Sequence, residues 1–202
     1  MNKLEIRSYG GDAAPKIEGR TIDGYAIVFN QRSEDMLVRT DKEIRRFVEV
    51  VDPLSVDDAF LMSCDIRALI EHNRERLLAR YNKGVGTLSL TIDEHGLRYL
   101  FDAANTADGD YAVEMVKRGD ISGSSFGFRA KDEDTVWTKE GSLWVRTIKR
   151  FSLLREITLT TDPAYTQTEV SVRSLDEMDK PIEEEKEDLS YKVRLQLLRN
   201  RI

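Results

Sequence analysis

Up to about residue 173, hydrophobic positions recur mostly with the period of two that marks a half-covered strand. Thr21 to Phe29 is rich in β-branched and aromatic residues. From Val85 to Ile92, the positions Gly86, Leu88, Leu90 and Ile92 alternate with Val85, Thr87, Ser89 and Thr91, which predicts one continuous strand. Asp93-Glu94-His95-Gly96 then reads as a hairpin turn, with Leu97 to Phe101 as the returning strand. Ile121 to Ala130, Thr135 to Thr138, Leu143 to Ile148 and Ser152 to Thr160 read as further strands. If Ala68 to His72 is extended, Ala68, Ile70 and His72 share a face. Two stretches read as helices instead. One runs from Ser55 to Met62, after Asp52-Pro53. The other runs from Tyr111 to Lys117, with Asp108 or Asp110 as N-cap and Gly119 as the stop. Many short strands with few helices predict an α+β, mainly β fold: a barrel or curled sheet decorated by helices.

Beyond residue 173 the strand period stops. Asp176, Glu177, Asp179, Glu183, Glu184, Glu185, Glu187 and Asp188 face only Lys180 and Lys186, as in a solvated linker. Tyr191, Leu195, Leu198 and Ile202 then fall on one face of a short basic amphipathic helix. The expected organisation is a domain over 1–173 and a tail over 174–202. The chain's net charge of −6 hides this polarity, because the tail holds eight acids and six bases. A mildly acidic chain is not expected to bind nucleic acid directly. One cysteine, Cys64, excludes an internal disulfide and a cysteine-rich zinc site, and no metal or other cofactor is expected. No apolar run approaches the roughly 20 residues of a membrane span. The opening MNKLEIRSYGGDAAP carries no apolar core of a secretory leader. With the lone thiol, this leads us to expect a reducing cytosol and no membrane partner.

The two histidines limit the chemistry. His95 lies in the predicted hairpin turn, which leaves His72 as the one candidate base. In Gly119-Asp120-Ile121-Ser122-Gly123-Ser124-Ser125-Phe126-Gly127-Phe128, alternation puts Phe126, Phe128 and Ala130 toward the core. Ser125, Gly127 and Arg129 take the other side, with small Gly127 expected to leave room for a substrate. A serine hydroxyl is almost wholly protonated at neutral pH, so it needs a neighbouring base to become a nucleophile. In Leu153 to Thr160, Leu153, Ile157 and Leu159 are expected on the apolar face. Glu156 lies opposite with Thr158 and Thr160, a candidate acid to orient a histidine or a partner for Arg155. Asp65 and Asp162 compete for that role. An α/β-hydrolase elbow, a phosphate loop and a dinucleotide fingerprint are not expected.

Taken in order, His72-Asn73, Gly86-Thr87-Leu88, Gly96-Leu97, the run Gly119 to Phe128, Glu156-Ile157-Thr158 and Pro163-Ala164-Tyr165 resemble the prohead (capsid maturation) serine proteases of tailed phages. The resemblance covers about residues 1–173 and implies a herpesvirus-protease-like β-barrel surrounded by helices. It also implies Ser125 as nucleophile, His72 as general base and Glu156 as the third member. Two departures stand out: Ser124 where the family often has Met, which makes it a competing nucleophile, and Asn73 where it usually has Asp. The implied partners are scaffold and major capsid protein, with self-cleavage and room for a homo-oligomer, inside the procapsid in the host cytoplasm. The tail would be mobile or would dock to scaffold. The competing readings are a non-catalytic capsid-assembly protein that keeps the barrel, and a β-rich binding module.

Overall fold

The computed structural model describes residues 4–39 and 44–163. Their strands form three sheets. The largest has the order β1 (Glu5–Tyr9), β11 (Gly123–Arg129), β14 (Leu153–Thr160), β6 (Asp65–Ile70), β7 (Asn73–Asn82) and β8 (Val85–Gly86). A second sheet orders β2 (Lys16–Glu18), β3 (Thr21–Val28), β10 (Gly96–Asp102) and β9 (Ser89–Ile92). The third orders β12 (Thr135–Glu140), β13 (Leu143–Ile148), β5 (Ile44–Val51) and β4 (Met36–Arg39). Most pairs are antiparallel, but β14–β6 and β13–β5 are parallel.

The mainly β class expected from the periodicity holds. Among the described residues, however, the hydrogen-bonded strands form open sheets rather than a closed ring, and two α-helices do not surround them. The first, α1 (Asp58–Leu61), is a single turn. The predicted start at Ser55 fails because Asp52 folds the preceding residues into a turn: its side chain accepts from the N–H of Leu54, and its carbonyl accepts from that of Ser55. Asp57 then caps the helix through the N–H of Phe60. The second helix, α2 (Ala107–Arg118), starts a turn earlier than Tyr111 because Thr106, rather than Asp108 or Asp110, is the N-cap. Gly119 ends it in the left-handed conformation, as predicted.

The predicted continuous strand from Val85 to Ile92 is broken between two sheets. The N–H groups of Thr87 and Leu88 both donate to the carbonyl of Arg80, which turns the chain at Gly86. Gly86 has φ +144°, and a Cβ there would lie 1.9 Å from that carbonyl oxygen, so only glycine fits. The core packs between the sheets around Ile22, Ile27, Tyr99, Phe101 and the Phe126–Phe128–Phe151 cluster, all essentially inaccessible. On β14, Leu154 rather than Leu153 joins Ile157 and Leu159 in that core. The cause is a bulge: Gly127 pairs with Glu156 and Phe128 with Leu154, leaving Arg155 as the extra residue.

Candidate active site

His72 is not on a strand. Ile70 pairs directly with Asn73, so Glu71 and His72 form the whole loop of the β6–β7 hairpin. Their φ angles are +49° and +55°. Positive φ at both central residues is the type I′ arrangement, which glycine and asparagine favour and which glutamate and histidine adopt at a cost. The turn therefore carries His72 away from the core face held by Ala68 and Ile70, contrary to the expectation that the three share a face. Glu71 fastens the loop to the end of β14. Its N–H donates to the carbonyl of Leu159 (3.1 Å). Its carboxylate accepts from the N–H of Thr161 (2.7 Å) and the hydroxyl of Thr160 (3.0 Å).

From this loop the imidazole folds back over β14. In register, Ser125 of β11 pairs with Thr158 of β14, and Gly127 pairs with Glu156. All four lie on the side of the sheet opposite the phenylalanine core. His72 Nδ1 is 2.7 Å from Glu156 Oε1, and its Nε2 is 2.8 Å from Ser125 Oγ. Thr158 Oγ1 lies 3.4 Å from Nδ1. An ionised Glu156 can only accept, so in the neutral ring this contact assigns the proton to Nδ1 and leaves Nε2 as the acceptor facing the serine hydroxyl. Gly127 does not leave room for a substrate as expected: Glu156 fills that space, and a Cβ on Gly127 would lie 2.9 Å from its Cγ. Ser125 is fully buried and Glu156 is 4% exposed, whereas the His72 side chain is 26% exposed.

The serine hydroxyl has a second acceptor, the carbonyl of Arg7 on the neighbouring strand β1, at 2.9 Å. One proton serves two acceptors, so it reaches His72 only by leaving Arg7. The Arg7 side chain belongs to a buried cluster. Its Nη2 donates to Glu5 (2.7 Å) and Glu49 (2.9 Å), while Arg146 Nη1 reaches the same two carboxylates at 2.6 and 2.8 Å. None of these four side chains is more than 8% exposed. The cluster straps β1 to β5 and β13, tying the six-stranded sheet to the third sheet. Burial pushes the Glu5 carboxyl up, but the Arg146 and Arg7 guanidiniums outweigh it and hold the group below its ordinary 4.5.

The family model for the Caudovirus prohead serine protease matches residues 3–181. The chain belongs to that family. It is a family of serine proteases associated with the phage prohead. No curated protein and no solved structure gives a significant match to the chain.

The other candidates of this prohead protease family member lie elsewhere. Ser124 faces the core, where its Oγ is 2.7 Å from the Tyr99 hydroxyl and bonds to the carbonyl of Ala13 (3.2 Å). Asp65 is held by Arg80 and Arg67 at the start of β6, the opposite end from His72. Asp162 follows β14, and its N–H donates to Thr160. His95 sits in the β9–β10 turn against the Tyr25 ring, 4.4 Å between centroids. The letters Gly123-Ser124-Ser125-Phe126-Gly127 do spell Gly-x-Ser-x-Gly, but all five lie within β11. A nucleophile elbow needs a strand-to-helix turn, so the spelling is coincidental. Sequence reasoning missed Glu71, Thr158 and Arg7. Only Thr158 had a signal, its place two residues from Glu156 on the same face. Among the described residues, no three His, Cys, Asp or Glu side chains converge as a metal site requires, and no helix is long and apolar enough to cross a membrane. The tail over 174–202 lies outside the described residues.

Proposed function

We propose that this chain is an active serine endopeptidase that cleaves scaffold, or a scaffold-like segment of the major capsid protein, and itself during procapsid maturation in the host cytoplasm. The observation that carries the reading is the unbroken row Ser125 Oγ–His72 Nε2/Nδ1–Glu156 Oε1, with 2.8 and 2.7 Å links. Family membership supports the reaction class and the prohead setting.

In this reading Ser125 gives its proton to His72 Nε2 and attacks the scissile carbonyl carbon. Glu156 holds Nδ1–H and stabilises the imidazolium that forms, without taking the proton. His72 next protonates the leaving amine, which departs as the new N-terminus. It then takes a proton from water, which attacks the acyl-enzyme and releases the acid product with Ser125 restored. Glu71 acts one step removed, by holding the His72 loop against β14. The domain over 1–173 carries the chemistry, and the tail over 174–202 docks the enzyme to scaffold.

One observation favours a second reading, a non-catalytic assembly protein: Ser125 has no exposed surface in this state. The deciding experiment incubates purified chain with unprocessed capsid protein and scaffold and follows cleavage by mass spectrometry. The protease reading expects processing that Ser125→Ala abolishes. Identical product patterns from wild type and Ser125→Ala would leave the assembly role.

A further inference from the structure

We propose that an arginine-lined pocket on the same sheet face as the Ser125–His72–Glu156 row, toward the start of β6 and β14 and away from His72, is a docking subsite for carboxylate side chains, and that the acidic segment 176–188 of this same chain occupies it. The pocket is a cavity of about 320 Å³ whose lining includes Cys64, Arg67, Arg129, Ser152, Leu153 and Arg155. That size suits a few extended side chains rather than a folded partner.

Its position follows from the strand registers already described. Arg129 is on the same side of β11 as Ser125 and Gly127, four residues and about 13 Å along the strand from the serine. Arg67 pairs with Glu156 across β6 and β14. Arg155 is the extra residue of the β14 bulge, which frees it from the regular alternation.

The charges of the lining do not balance. Its one acid, Asp65, is already shared by Arg67 and Arg80. Among the described residues, Arg129 and Arg155 make no ion pair, and Arg129 Nε is buried without a hydrogen-bond partner. Buried guanidinium N–H groups left unpaired are costly, and a carboxylate matches their planar fork in charge and geometry.

The occupant follows from charge and reach. Residues 176–188 carry eight acids against two lysines. From Pro163, just past the end of β14, thirteen residues lead to Asp176 and span up to about 43 Å when extended. The strand itself, from Thr160 back to Leu153, is only about 23 Å long. The segment therefore reaches the pocket from its own strand, and tethering gives it an effective concentration on the order of millimolar. Docked there, it lies on the same sheet face as the Ser125 row and competes with any acidic peptide brought to that face. This inference stands apart from the catalytic reading, because the contacts are the same whether or not Ser125 reacts.

The test measures fluorescence anisotropy of fluorescein-labelled hexaglutamate on the full chain. Five forms are compared: wild type, a form with the eight acids replaced by Asn and Gln, and that neutralised form with Arg155→Glu, Arg129→Gln or Lys16→Glu added. The neutralised form is expected to bind at least about tenfold tighter than wild type, because the cis competitor is gone. Arg155→Glu should remove that gain, Arg129→Gln should reduce it, and Lys16→Glu on exposed β2 should leave it intact. Thermal melting confirms that each variant is folded. Equal affinity in wild type and neutralised chain would reject the segment as occupant. Undiminished binding with Arg155→Glu and Arg129→Gln would reject the pocket.

Discussion

Two buried polar groups meet at Arg7, and they are built on opposite terms. The carbonyl of Arg7 touches the Ser125–His72–Glu156 row, while its guanidinium belongs to the Glu5–Arg7–Glu49–Arg146 cluster. The cluster is charge-balanced, fully enclosed and cross-linked, with each arginine reaching both carboxylates. The row has one carboxyl group, an imidazole and a hydroxyl whose single proton has two possible acceptors. Its histidine is partly exposed and stands on a backbone with positive φ. A closed set of charges fixes geometry, because any change leaves a buried ion unpaired. A row with a spare acceptor and a strained support can pass a proton along. The cluster thus holds β1 in place, and through the Arg7 carbonyl it sets where the Ser125 hydroxyl rests.

The comparison predicts that damage to the row costs activity with little stability, and damage to the cluster costs stability first. The largest effect is expected for Ser125→Ala and His72→Ala, each about 10⁶-fold in kcat with an almost unchanged melting temperature. Single-turnover cleavage of capsid protein measures this, and His95→Ala should match wild type. Near-normal turnover by His72→Ala would take the histidine out of the reaction. Glu156→Gln comes next, with a smaller loss of about 10⁴-fold, since an orienting acid is partly dispensable. A wild-type rate there would reduce the 2.7 Å contact to packing.

In the cluster, Glu49→Ala strands Arg7 and Arg146 in the interior and should cost about 3–5 kcal/mol by urea unfolding. A loss near zero would mean that β1 is held by its apolar contacts alone, such as the Tyr9–Phe126 stack. Glu71→Ala blurs the boundary between the two regions. It frees a strained loop without touching the reacting atoms, and misplacing His72 should lower kcat up to about 100-fold while KM stays constant. Glu71→Gln should recover part of the loss, since its carbonyl still accepts from Thr161 N–H. Equal KM and kcat effects would instead mark Glu71 as a substrate contact. The smallest effect is in acid. Because Glu5 is held below its ordinary 4.5 in the folded chain, its stabilisation is present above that value and fades as pH falls through the lowered native one. Between about pH 5 and about pH 3, stability should fall more steeply in wild type than in Glu5→Gln. Parallel curves would show that the cluster does not govern acid unfolding.

Alternation alone was enough to separate Ser125 from Phe126 and Phe128, because a period of two leaves no freedom once one face is apolar. The same rule points Ser124 into the core, where Tyr99 receives it. Alternation fails wherever the backbone leaves the regular strand. His72 escapes it through two positive φ angles, Leu153 yields its core place to Leu154 through the Arg155 bulge, and Gly86 splits an apparently continuous strand. Each of these shifts is decided by a tertiary partner: the end of β14 for Glu71, the register with β11 for Arg155, and the Arg80 carbonyl for Gly86. Thr106 won the helix cap over two nearby aspartates, a choice that composition does not make. Glu71 and Arg7 were illegible for a related reason, since neither position carries a local pattern that announces its partners. The named residues Ser125, His72 and Glu156 came from an ordered set of short motifs. The structure adds that they lie in one hydrogen-bonded row.

The parallel pairing of β14 with β6 also bears on timing during synthesis. His72 and Glu156 are 84 positions apart, and they meet only when the last described strand docks beside one completed much earlier. Long-range parallel pairing is slow, since the intervening loop must close before any contact rewards it. A chain still emerging from the ribosome can have its serine and its histidine but not its acid, and β11 lacks the neighbour that lies between Ser125 and the His72 loop. The nascent chain therefore has no assembled row until nearly all of the described part has been made.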